Sequence, residues 1–181
     1  MGKYVNNNLS SGETVVCEAN FSKKIAIIHF ALCGVFLLIG LIGLGVGVSI
    51  GGNAGAAFIM DVCVYGGIIL SPLFFVLGLI IIITNATSEL AVTSKRIIGK
   101  VPGKSMDAPL DKIQTVIVSK GLLGGIVDAG TVQINTAYGL YLFKYVDDPE
   151  TLKRNVMIQI ESYKDERIHK GAQSIVNRMN K

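Results

Sequence analysis

Between Lys24 and Glu89 the chain carries one formally charged side chain, Asp61. Two apolar runs fill that stretch, Ile25 to Ile50 and Ala56 to Thr84. Each exceeds the roughly 20 residues that a helix needs to cross the hydrocarbon core of a bilayer. Gly51-Gly52-Asn53-Ala54-Gly55 separates them, a small flexible turn with no room for an outer domain. The expectation is a transmembrane helical hairpin over residues 25–84. A cleaved signal peptide does not fit the first run, because its apolar part would span only about 7–15 residues. Composition agrees. Charged residues make up 17% of the 181, against about a quarter in soluble domains, and mean hydropathy is +0.53. A disordered chain and a disulfide-stapled secreted domain are excluded.

Positive charge flanks the hairpin on one side only. Lys23 and Lys24 precede the first run, and Lys95, Arg96, Lys100 and Lys104 follow the second, while the turn has no cation. The positive-inside rule then places both termini in the cytoplasm, which implies a multi-pass protein of the inner (plasma) membrane. Residues 1–24 form a cytoplasmic N-terminal segment. Lys23, Lys24, Lys95 and Arg96 are the candidate lipid headgroup contacts.

Within the hairpin, Gly43, Gly47 and Gly51 recur every four residues, with Gly40 nearby. Small residues at that spacing let another helix approach closely. The partner is either the second helix of the same chain or a neighbouring subunit. Pro72 is expected to kink the second helix, which membrane helices tolerate when neighbours re-satisfy the freed carbonyl. Asp61 lies near the outer turn, where headgroup water reaches it, and an intramembrane carboxylate is also a candidate functional group. His29 occupies the mirror position at the other end. Cys17, Cys33 and Cys63 form no C-x-x-C pair, and the only histidines are His29 and His169, so no metal site, catalytic residue or cofactor is expected.

From about Ser88 the hydrophobic period changes. Leu90–Thr93, Arg96–Gly99, Thr115–Ser119, Gly130–Asn135 and Leu140–Tyr145 read as short strands bounded by turn residues. Val132 and Ile134 alternate with Gln133 and Asn135, which suggests a sheet with one wet face. Leu110–Ile113 fits a single helical turn. Asp148-Pro149-Glu150 is a helix start, with aspartate as cap and proline at the first helical position. Leu152, Val156, Ile160 and Tyr163 then make one apolar face. Residues 164–181 form a basic amphipathic tail helix with five basic and two acidic side chains. It suits an anionic leaflet, a copy of itself, or plain extension of the preceding helix. Gly121 to Val127 is glycine-rich and apolar. It either folds onto the sheet or leaves Leu122, Leu123 and Ile126 as an exposed patch for a subunit contact.

Five segments in order carry a resemblance: Leu90-Ala-Val-Thr-Ser-Lys-Arg-Ile-Ile-Gly99, Leu110-Asp-Lys-Ile113, Gly121-Leu-Leu-Gly124, Gly130-Thr-Val132 and Asp148-Pro-Glu-Thr-Leu152. Together with Leu9-Ser-Ser-Gly-Glu-Thr-Val15 ahead of the hairpin, they resemble bacterial pleckstrin-homology-like (PH-like) membrane proteins. The resemblance implies a PH-like domain over residues 85–163, a strongly bent antiparallel sheet or barrel of seven strands capped by a C-terminal helix. The fold class is a membrane α-helical hairpin plus α+β. The resemblance also implies a non-enzymatic scaffold or binding module in a homo-oligomer, with membrane lipids and a cytoplasmic protein as partners. The alternative is an oligomeric pore or transport component with Asp61 at its outer mouth. Nucleic acid is not expected as a partner, since the small basic excess follows the membrane surface.

Overall fold

The computed structural model describes residues 2–49 and 54–179. They divide into two compact units: a helical hairpin over residues 23–83, and a sheet domain made from residues 1–22 together with 84–181.

The hairpin consists of α2 (Lys24–Ser49) and α3 (Ala54–Thr87). Both are long and apolar enough to cross a membrane, as their uncharged sequence predicts. Pro72 lies inside α3 without ending it. Ala54 and Gly55 of the expected turn open α3, and the rest of it, including Gly51, lies outside the described residues.

The sheet domain begins with α1 (Lys3–Asn8) and β1 (Val15–Glu18), continues after the hairpin through β2 (Glu89–Thr93), β3 (Arg96–Val101), β4 (Lys104–Pro109), a 3-10 turn (Leu110–Lys112), β5 (Ile113–Ser119), α4 (Leu122–Val127), β6 (Ala129–Thr136) and β7 (Gly139–Asp147), and ends in α5 (Pro149–Met179). All pairings between these strands are antiparallel. The strands make two sheets, ordered β1-β2-β3-β4 and β5-β6-β7, and do not close into a barrel. The N-terminal segment, expected over residues 1–24, supplies the first strand through Val15–Glu18.

The two sheets bury their strands differently, and the sequence shows why. In β6, Val132 and Ile134 are buried while Gln133 and Asn135 are half-buried, the alternation of a sheet with one wet face. In β2 and β3 the buried residues run consecutively, because the first sheet is covered on both sides. Val92 and Ile97 face the main core, whereas Ala91 and Ile98 pack with Val5 of α1. Gly99 fits between the layers. A Cβ there would lie 2.7 Å from Cζ of Phe143, so the missing side chain admits the largest ring of the core.

Pro102-Gly103 makes the turn between β3 and β4, with Val101 paired to Lys104 and Gly103 at φ +77°. Proline followed by glycine at positive φ is the chemistry of a type II turn. Gly103→Ala should therefore cost about 1 kcal/mol, since a Cβ strains that backbone region; thermal unfolding of the purified protein checks this.

At α5 the expected start is present. Asp148 Oδ1 accepts the Thr151 N–H at 3.2 Å, and Leu152, Val156 and Ile160 lie buried against the main core. The helix then runs unbroken to Met179, so the tail is an extension of α5.

Candidate functional site

The most densely bonded polar cluster described in the chain joins the N-terminal segment to the β2–β3 hairpin. A turn with Gly12 at φ +74° brings the Glu13 N–H to the Ser10 carbonyl at 3.0 Å. This points the Glu13 carboxylate inward, where its side chain is fully buried. Glu13 Oε2 accepts the Ser10 N–H at 3.0 Å, and Oε1 accepts the Thr93 hydroxyl at 2.6 Å. Arg96 then grips it from the side. Its Nε donates to Oε1 at 3.0 Å and its Nη2 to Oε2 at 2.9 Å. The remaining Arg96 donors reach the Asn8 carbonyl and Ser10 Oγ at 2.8 Å, and Asp107 Oδ2 at 2.6 Å.

The electrostatics follow from that geometry. The Arg96 hydrogen bonds pull the Glu13 pKa from 4.5 to about 2. Bonds from Thr93 and Ser10 add to the effect against the opposing cost of burial. Arg96 moves upward, mainly through the same bonds to Glu13. A carboxylate held that low stays ionised near neutral pH, so it can neither give nor take a proton there. Chemically the cluster is a brace.

Arg96 was a candidate headgroup contact, and every nitrogen of its guanidinium is engaged within the chain. Lys104 is similarly occupied, 4.2 Å from the centroid of the Tyr141 ring and 2.8 Å from the Leu140 carbonyl. Lys100 stands 5.8 Å from the centroid of the Tyr4 ring. Lys95 is exposed at the tip of the hairpin. Lys23 and Lys24 belong to the helical unit, at the start of α2.

Gly40 and Gly43 sit where the two long helices of the hairpin meet. A Cβ on Gly67 of α3 would lie 2.7 Å from Gly40 Cα and 2.7 Å from the Phe36 carbonyl oxygen. A Cβ on Gly43 would lie 3.1 Å from Cys63 Cβ. These glycines face the partner helix of the same chain. Gly47 lies in α2, with its surroundings outside the described residues. Stacked Phe36 and Phe74 rings, 5.3 Å apart, support the same contact. His29 is satisfied by the Ile25 carbonyl at 2.8 Å, and Asp61 is exposed on α3.

Gly121 to Val127 connects β5 to β6, with Leu122–Val127 forming the short helix α4. Gly124 allows it, since a Cβ there would collide with the Ala129 carbonyl oxygen. An ion pair from Lys120 to Asp128 at 2.7 Å clamps the two ends. Leu122 and Ile126 project outward, 90% and 77% exposed; the Leu123 side chain lies outside the described residues.

Among the described residues, no three His, Cys, Asp or Glu side chains gather closely enough to hold a metal ion. The three cysteines are free, and burial pushes the Cys17 thiol up. The Glu13–Arg96 cluster escaped sequence reasoning because its partners are 83 residues apart. The only local signal was the Ser-Ser-Gly-Glu turn. No family model matches the chain, and no curated protein matches it.

Proposed function

We propose that this chain is a membrane-anchored, non-enzymatic scaffold that presents a PH-like domain in the cytoplasm as a homo-oligomer. One observation carries the reading. In the most apolar windows of α2 and α3 only 17% and 22% of the residues are buried, and exposed side chains such as Leu38, Ile42, Ile69 and Ile83 are apolar. A core helix of a soluble protein buries such residues, whereas a bilayer solvates them. The sheet domain supports the second half. Seven antiparallel strands in sheets of four and three, with a C-terminal helix on the core, suit the PH-like resemblance. Lys23 just before α2, Lys24 as its first residue and Lys95 after α3 favour a cytoplasmic sheet domain.

Gly40 and Gly43 are occupied within the chain, so the subunit contact is assigned to Leu122 and Ile126. Their exposure is costly in a solvated monomer. Lipids and a cytoplasmic protein remain the proposed partners. The deciding measurement is the particle mass of the full chain in native nanodiscs. A single species several times the 19.3 kDa chain mass is expected, and Leu122→Ser with Ile126→Ser should split it without unfolding the protein. A monomer in native lipid overturns the assembly.

A further inference from the structure

The two open sheets end in four edge strands, β1, β4, β5 and β7. A bare edge invites another strand to pair, and proteins guard against it with short strands, bulges, charge, proline or cover. Three of the four edges are guarded. β1 has four residues, a register shift between Val15 and Cys17, and Glu18 at its end. β4 carries Lys104, Asp107 and Pro109. β7 carries Lys144, and its outer side is met in two places. Phe21 bridges to Val146, with the Ser22 N–H donating to the Tyr145 carbonyl at 2.6 Å and the Asp147 N–H to the Asn20 carbonyl at 2.8 Å. Lys104 Nζ donates to the Leu140 carbonyl at 2.8 Å.

β5 has none of this protection over most of its length. Its seven residues include no charge, proline or glycine. A register shift between Ile113 and Thr115 leaves Thr115–Ser119 in unbroken pairing with β6. On the inner face, Val116 joins Leu152, Val156 and Ile160 of α5 in the main core, and Val118 packs against it. On the outer face Ile117 is 46% exposed, between exposed Thr115 and Ser119. Among the described residues, no hydrogen bond from outside the β5–β6 ladder reaches the main chain of Thr115–Ser119. Every second residue of that stretch turns its N–H and C=O to the open edge.

The order of side chains along this edge selects its occupant. Antiparallel pairing of two copies about Ile117 sets Ile117 against Ile117, Thr115 against Ser119 and Val116 against Val118. Polar groups then meet polar groups and apolar groups meet apolar ones on both faces, with no like charges opposed. The strand also leads through Lys120 and Gly121 into α4, so the edge is continuous with the contact assigned to Leu122 and Ile126.

We propose that two copies of the chain join β5 to β5 in the antiparallel register centred on Ile117, making one six-stranded sheet from two sheets of three. This pairing rests on the homo-oligomer reading above and gives it an isologous contact.

Opposed residues in such a ladder have Cα atoms about 4.5–5.5 Å apart, within the span of a disulfide. Single-cysteine substitutions in the full chain are oxidised in native membranes, with the parent chain as control for Cys17, Cys33 and Cys63. Ile117→Cys should give a cross-linked band at twice the 19.3 kDa chain mass, absent from the parent. Thr115→Cys and Ser119→Cys should each match the parent alone and cross-link when the two variants are co-expressed. Equal cross-linking at all three positions means random collision and overturns the proposal. So does the absence of a band at Ile117→Cys in a chain whose particle in native nanodiscs still holds more than one copy; the oligomer reading then stands without this contact. A particle of one copy overturns both.

Discussion

Arg96→Ala should destabilise the sheet domain by about 3 kcal/mol, the largest effect expected of any substitution at a charged residue here. The loss is not that of a surface ion pair, which is worth about 0–1 kcal/mol. The Glu13 side chain is fully buried and its strongest hydrogen-bonding partner is Arg96. Removing the guanidinium leaves a carboxylate in the interior with only Thr93 and the Ser10 N–H, and breaking a buried pair by deleting one partner typically costs about 3–5 kcal/mol. Arg96 is partly exposed, so water recovers some of the difference and the lower end applies. Replacing both residues by apolar ones should recover much of the loss, because no charge is then stranded.

The same pair sets an acid limit. Glu13 is displaced from 4.5 to about 2 in the folded protein, so folding favours its ionised form. That contribution is complete above pH about 4.5 and disappears as pH falls toward about 2. At about 1.4 kcal/mol per pH unit it amounts to about 3 kcal/mol. Unfolding measured from pH 6 downward should show this loss of stability, and Glu13→Gln should flatten that part of the curve. A curve unchanged in the variant would mean that Glu13 is not the titrating group.

Gly67→Val should cost a comparable amount, about 3 kcal/mol, in the helical hairpin. The added Cβ would sit 2.7 Å from Gly40 Cα and from the Phe36 carbonyl oxygen, both backbone atoms that no rotamer change can move. Overpacking ordinarily costs about 1–3 kcal/mol, and contact with backbone belongs at the top of that range. The helices must separate, which also opens the Phe36–Phe74 stack. Gly66→Val is the control, since a Cβ there meets nothing within 4 Å. Thermal unfolding in detergent and an interhelical distance by spin labelling should show the first variant splayed and the second unchanged. Equal effects would mean that Gly67 is no tighter than its neighbour.

What could be read from the sequence was what leaves a local signature. The uncharged runs, the Asp148-Pro149 start and the alternation in Val132–Asn135 each act within a few residues, and each is present. The missing elements depend on distant partners. Lys3–Asn8 is rich in asparagine, a poor helix former. It is helical with Glu89 accepting the N–H groups of Tyr4 and Val5 and with Val5 buried on the first sheet. Lys104–Pro109 has little strand propensity, yet β3 templates it through Met106 and Ala108, which face the interior. Gly124 and Gly125 are poor helix formers, yet Leu122–Val127 is helical, with the Lys120–Asp128 pair across its ends and the Ala129 carbonyl close to Gly124. Nothing nearby announces that Glu13 and Arg96 will meet.

The pairing of β1 with β2 has a consequence for the order in which the protein is made. Val15 pairs with Thr93, and the entire hairpin lies between them, an insertion within the sheet domain. The first strand leaves the ribosome early and waits, unpaired, until both apolar helices have followed it. Closing so long a loop is the slow kind of step in folding. It also makes the sheet domain a check on the hairpin: until both helices have been synthesised, Glu13 has no Arg96 and β1 has no neighbour. A fragment starting after α3 would carry six of the seven strands and an arginine without its buried carboxylate.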